Sequence, residues 1–216
     1  MANKIYNIGV IGCGVIWERG HWAQAIKHMP DDVKVRYVYD AQEEASRKAA
    51  EETGAAWLPD PRPMFESEDL DVVVIATPPF ARVEYVRMAC ETGKHLMLEK
   101  PMARTIEQAL EIFRLIRESG IKCHIPFART TSADFRQLVD IINSGQIGKP
   151  VMFVHSNLAG PYSWIPLDHW MHDMELSGGP IFDYSIHFIE LARACMGLEA
   201  LTTERYVVTT EGIIRK

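Results

Sequence analysis

The chain has 216 residues, 47% of them hydrophobic and 24% charged, a composition that suits a globular protein able to bury a real core. With 23 Lys and Arg against 29 Asp and Glu its net charge is −6, which argues against nucleic acid and anionic membrane as partners, since those are held by clustered basic side chains. No window approaches the roughly 20 apolar residues of a membrane span, the N-terminus lacks the marks of a signal peptide, and Cys13, Cys90, Cys123 and Cys195 show neither CxxC nor CxxH spacing. A reducing cytoplasm is therefore the expected setting, with neither a metal site nor a disulfide framework.

From Ile5 to about Ile125, β-rich runs alternate with helical patterns. The runs are IYNIGVI, VKVRYVY, LDVVVIAT, KHLMLE and IKCHIP; the helical segments include 41–53, 81–92 and 105–119. That rhythm predicts repeated βαβ units and an α/β, doubly wound parallel sheet, and DVVVIA is apolar at consecutive positions, as a strand buried on both faces must be. After Pro126 the rhythm changes. TSADFRQLVDIINSG reads as a capped helix ending near Gly145, VMFVHSNL as a strand, residues from about Pro180 to Met196 as a helix, and RYVVTT as a last strand. The expected division is residues 1–126 and residues 127–216.

The first turn, GVIGCGVIW, carries Gly12-x-Gly14 between a strand and a helix. Glycines there permit a tight turn and close approach of a pyrophosphate to the amides of Gly14, Val15 and Ile16 at the helix start. Asp40 closes the next strand, where a carboxylate accepts hydrogen bonds from both ribose hydroxyls and repels a 2′-phosphate, so NAD is favoured over NADP. Trp17 stands where the fingerprint wants its third small residue, and an indole there is expected to oppose close helix-on-strand packing. The alternative is that Gly12 and Gly14 serve only a tight βα turn.

Three further positions lie where strands end. Thr77-Pro78-Pro79 makes a rigid ledge, and Thr77 reads equally as a cofactor contact or a loop threonine. Glu99 and Lys100 follow KHLML, with Pro101 limiting the backbone; Lys100 there is either a fixed cation and proton donor beside a nicotinamide or a solvated strand-end lysine. Gly178-Gly179-Pro180 precedes Asp183 and His187, which at i, i+4 spacing share one face of a helix. A carboxylate beside a histidine stabilises its charged form and suits general base catalysis, whereas His187 between Ile186 and Phe188 also reads as a core histidine. Tyr162, Trp164 and Trp170 precede that helix, as candidates for stacking on a sugar ring or for ordinary packing.

VIGCGVI, VVVIATPP, ETGKHLMLEKPMA, INSGQIGKP and SGGPIFDYSIHFIELAR, in this order, resemble the Gfo/Idh/MocA oxidoreductases, the family of glucose-fructose oxidoreductase and inositol dehydrogenase. The resemblance covers nearly the whole chain. It implies an N-terminal Rossmann domain carrying NAD(P), then an α+β domain whose open sheet makes a homo-oligomer interface. It also implies hydride transfer between a sugar, polyol or related hydroxy substrate and nicotinamide, with Lys100, Asp183 and His187 as catalytic residues and no metal.

Arg82 departs from the pattern, at a position where the family usually has histidine. The chain also stops soon after RYVVTT, so the second domain is expected to be truncated, or completed by a partner that covers its apolar surface. A non-catalytic nucleotide-binding sensor or assembly subunit is the alternative function.

Overall fold

The structure, a computed structural model of the chain, describes residues 4–18, 21–156, 165–166, 168–179, 181–197, 206–209 and 212–215. In chain order the elements are β1 (Tyr6–Ile11), α1 (Val15–Glu18), α2 (His21–Lys27), β2 (Val33–Tyr39), α3 (Glu43–Thr53), β3 (Ala56–Trp57), α4 (Arg62–Glu66), β4 (Val72–Ile75), α5 (Arg82–Glu91), β5 (His95–Leu98), α6 (Ile106–Ser119) and β6 (Cys123–His124). There follow α7 (Ala133–Asn143), α8 (Met174–Ser177), a π-helical turn (Ile181–Ser185), α9 (Ile186–Met196), β7 (Tyr206–Thr209) and β8 (Gly212–Arg215), with 3-10 turns at Pro79–Ala81 and Trp170–His172. Two compact units result, Met1–Pro126 with Pro161–Ser185, and Phe127–Gly160 with Ile186–Lys216.

In the first unit six parallel strands run in the order β3-β2-β1-β4-β5-β6. The order reverses at β1, so a crevice opens beyond the carboxyl ends of β1 and β4, the place where open α/β sheets take ligands. Register aligns four strand ends there: Ile11 pairs with Tyr39 and Ile75, and Ile75 with Leu98. The next residues, Gly12, Asp40, Ala76 and Glu99, therefore leave the sheet along one edge.

Alternation along β4 sends Val73 and Ile75 to one face of the sheet and Val74 to the other. Val73 and Ile75 pack with Ile11, Val86, Leu98 and Ile112; Val74 packs with Ile8, Val10, Val38 and Ala49. Both faces are thus covered, which explains why this strand is apolar at every position. Thr105 caps α6 by accepting from the Gln108 amide, and Gly120 ends it in the left-handed conformation at φ 71°. That helix buries Ile112 but leaves Ile106, Leu110 and Phe113 exposed.

Trp17 corrects the sequence reading. Its indole is 1% exposed, within a core that includes Cys13, Ala23, Val35, Val38 and Ala49, and Nε1 donates to Glu52 Oε2 at 3.2 Å. Small partners such as Ala23 and Ala49 leave the volume that the indole fills, so a large residue packs here without displacing the turn.

In the second unit, Ser132 caps α7, its hydroxyl accepting from the Phe135 amide. β7 and β8 form an antiparallel hairpin, Tyr206 opposite Arg215 and Thr209 opposite Gly212. The strand expected over VMFVHSNL is not formed at 151–156, where no other described strand pairs with the segment, and residues 157–158 lie outside the described residues. A strand requires a neighbour to take its backbone hydrogen bonds. The expected single helix up to Met196 is also corrected: Asp183 belongs to the π-helical turn and His187 to α9, which interrupts a regular α-helical i, i+4 face.

Candidate active site

The loop after β1 is shaped by two glycines with different duties. Gly12 has φ +96°, and a Cβ on it would come within 2.7 Å of the Ala76 carbonyl carbon and 2.8 Å of the Thr77 nitrogen. Those are backbone atoms, so nothing there yields. A Cβ on Gly14 would meet nothing within 4 Å, which leaves open space at the start of α1. Val15 and Ile16 begin that helix, whose first N–H groups have no intrahelical acceptor.

Asp40 holds this loop. Its Oδ2 accepts from the Cys13 amide at 2.7 Å and its Oδ1 from the Gln42 amide at 2.8 Å. A carboxylate offers about four acceptor directions, so about two remain for other donors. Burial, with the Asp40 charge adding to it, pushes the Cys13 thiol up to about 12, and Cys13 is therefore inert filling rather than a nucleophile.

Beyond β4, Thr77 Oγ1 is buried without a hydrogen-bond partner among the described residues, an orphan hydroxyl at the carboxyl edge of the sheet. The Thr77 carbonyl accepts from Arg82 Nε at 2.9 Å and Nη2 at 2.6 Å. Arg82 Nη1 also donates to the carbonyls of Glu99 and Pro101. Burial lowers the Arg82 pKa to about 10, against the raising influence of Glu99 and Asp183, and the group stays cationic at neutral pH.

Glu99 is held on both oxygens: Oε1 accepts from Trp22 Nε1 at 2.9 Å and Oε2 from the Lys100 amide at 3.2 Å. Lys100 Nζ donates to Asp183 Oδ1 at 2.8 Å and to the Asp183 carbonyl at 2.9 Å, in a pair whose side chains are only 17% and 22% exposed. Two of the three expected catalytic residues are thereby brought together within the first unit. Gly179 accepts from the Asp183 amide at 3.2 Å, and Gly178 and Gly179 both have positive φ, 77° and 78°.

His187 belongs to the second unit, where its ring lies edge-to-face with Phe127 at 6.1 Å and 89°. Next to it, Phe188 stacks on His155 at 3.5 Å, with the Arg129 guanidinium 5.1 Å from the Phe188 ring. Trp170 packs edge-on against Phe80 of the proline ledge at 6.1 Å. Trp164 and Tyr162 lie outside the described residues. Among the described residues no cluster of His, Cys, Asp and Glu suits a metal ion, and no helix is long and apolar enough to cross a membrane.

Sequence reasoning missed Trp22, which is 77 positions from the Glu99 it binds and leaves no local signal. Arg82 did carry one. A cation in the first turn of a helix opposes the helix dipole and so calls for another reason to be there.

Residues 6–127 match the oxidoreductase family with NAD-binding Rossmann fold, GFO_IDH_MocA, and residues 135–210 match the C-terminal domain of the same family. The chain belongs to the Gfo/Idh/MocA family. Among members, the scyllo-inositol 2-dehydrogenase (NAD(+)) of Bacillus subtilis (strain 168) is 29% identical over 170 residues, 77% of this chain and 47% of that protein. The D-xylose 1-dehydrogenase [NADP(+)] of Haloarcula marismortui is 32% identical over 148 residues, 67% of this chain and 41% of the relative. A levoglucosan dehydrogenase in complex with NADH and levoglucosan superposes with TM-score 0.75 at 27% identity, over 90% of this chain and 54% of the other. The chain spans about half the length of the Gfo/Idh/MocA relatives it matches. Both NAD and NADP occur among these names, so the family settles an NAD(P)-binding fold and not the choice between the two.

Proposed function

We propose that this chain carries NAD-dependent hydride transfer on the carbinol carbon of a sugar or polyol. The observation that carries the reading is the Lys100–Asp183 pair at the carboxyl edge of the sheet. Two N–H groups of the ammonium are engaged by the Asp183 carboxylate and carbonyl, leaving the third to meet a substrate oxygen. NAD, when bound, supplies a hydride acceptor at C4 of its nicotinamide.

The residues of the chain have distinct duties in this proposal. The open space over Gly14 and the amides of Gly14, Val15 and Ile16 receive the pyrophosphate, while the sheet edge at Gly12 stays narrow. Asp40 takes the ribose hydroxyls and repels a 2′-phosphate, which favours NAD over NADP. Thr77 offers its orphan hydroxyl to the cofactor, and Glu99, clamped by Trp22, borders the nicotinamide end. Lys100 stabilises the alkoxide that develops on the substrate, Asp183 fixes Lys100, and His187 takes the hydroxyl proton. Residues 1–126 form the nucleotide-binding part, joined in one compact unit by Pro161–Ser185 with Asp183, and the rest of 127–216 forms the substrate and oligomer part.

The proposal includes a cytoplasmic setting, supported by four free cysteines, and a homo-oligomer joined through the second-domain sheet. Val151, Met152, Val154 and Ile189 in the second unit are exposed apolar side chains that a second copy would cover.

The test is NADH formation, followed by absorbance, with NAD and a panel of myo-inositol, scyllo-inositol, D-xylose, D-glucose and levoglucosan. Turnover of at least one, lost in Lys100→Ala and in His187→Ala, is the expected result. NADH binding without oxidation of any panel member would favour a non-catalytic nucleotide-binding role instead.

A further inference from the structure

Arg82 pays two physical costs at its position. It is 3% exposed, so a guanidinium has been taken out of water, and it opens α5, where the helix dipole disfavours a cation. A leucine or methionine would fill similar volume with neither cost. Among the described residues the acceptors of its guanidinium are three main-chain carbonyls, those of Thr77, Glu99 and Pro101. One terminates the loop after β4; the other two stand immediately before and after Lys100.

The consequence is geometric. Lys100 reaches Asp183 from a backbone whose two neighbouring carbonyls are held by one rigid, planar group, and the same group ties that backbone to Thr77. Glu99 adds a second hold by accepting from the Lys100 amide. A guanidinium suits this task because its five N–H donors point outward in a fixed fork, whereas a lysine ammonium is a single point on a flexible stem.

We propose that Arg82 is a positioning residue for Lys100: by gripping the carbonyls of Glu99 and Pro101 and anchoring them to Thr77, it fixes where the Lys100 ammonium stands at the sheet edge. The proposal rests on the reading of Lys100 as the group that meets substrate, but its geometric content can be measured without turnover.

The experiment compares wild type with Arg82→Lys, Arg82→Gln and Val86→Ala. Val86, on the same helix and fully buried, serves as a control for general loss of core packing. Hydrogen exchange at the Glu99 and Lys100 amides reports the loop directly; kcat, KM and NADH affinity report the chemistry. In both Arg82 variants exchange at these two amides should rise about tenfold or more while amides of β1 and β2 stay protected. The kcat should fall about 100-fold, as expected for a displacement of roughly 1 Å, with NADH affinity changed less than about threefold. Arg82→Lys keeps the charge and should rescue little. Val86→Ala should lower the melting temperature without either local effect.

If the Arg82 variants match Val86→Ala in exchange and kcat, or if both fail to fold while Val86→Ala folds, Arg82 is a core residue and the proposal is overturned. If wild type oxidises no substrate, the redox reading falls, and the exchange result alone still decides whether Arg82 holds the Lys100 loop.

Discussion

The two units manage their apolar residues in opposite ways. In the first, Val73, Ile75, Leu98 and Ile112 sit fully enclosed around a parallel sheet covered on both faces, and Gly12, Asp40, Thr77, Glu99 and Lys100 follow from the ends of its strands. In the second, α7 has no buried residue and Val151 is 94% exposed. The candidate site groups of the first unit are hydrogen-bonded by their own surroundings, down to the Arg82 contacts on either side of Lys100. In the second unit His187 lies on α9, the helix that also carries the exposed Ile189.

The largest effect that sharpens this contrast is catalytic. Lys100→Ala on the first unit and His187→Ala on the second should each lower kcat by about 10²–10⁴, the range for loss of a positioned acid or base, with NADH affinity nearly unchanged in fluorescence titration. A loss confined to one of them would restrict the chemistry to one unit. Next in size is the core itself: Ile112→Ala should cost about 2–5 kcal/mol in urea unfolding, while Val151→Thr should stay within about 0.5 kcal/mol for the isolated chain. If Val151→Thr proves costly, or shifts the mass seen by light scattering, that surface is covered by another copy.

Asp40→Ser should reduce the preference for NAD over NADP by about tenfold, read as the ratio of the two kcat/KM values, since it removes the charge that repels a 2′-phosphate. The smallest effect is a silence. With its pKa near 12, Cys13 holds a thiolate fraction of only about one in ten thousand at pH 8, so mass spectrometry after brief iodoacetamide treatment of the folded protein should find it unmodified. Reactivity would grow as pH rises toward 12, because burial and Asp40 both favour the neutral thiol.

Periodicity made the first unit legible. VVVI is apolar throughout because both of its faces are buried, and the Gly12, Asp40, Thr77 and Lys100 positions were readable because each follows a strand in a repeating βαβ pattern. The two-residue strand β3 and the five-residue helix α4 were not, since neither is long enough to show a period. Trp17 was misjudged because its fit depends on small neighbours such as Ala49, which is distant in sequence and adjacent only in the folded core. The expected strand over VMFVHSNL shows the limit from the other side: alternation describes a strand's faces, but pairing needs a partner. Asp183 was read as a neighbour of His187 by spacing alone, and its ion pair with Lys100 spans 83 positions.

The account turns on whether an ammonium from one unit and an imidazole from the other act on a single hydroxyl. A crystal structure of the complex with NADH and whichever polyol of the panel is oxidised fastest tests this most directly. Lys100 Nζ and a ring nitrogen of His187 should each lie within about 3.2 Å of the same substrate oxygen. Finding the polyol bound next to the nicotinamide with either group turned away from it would contradict the account.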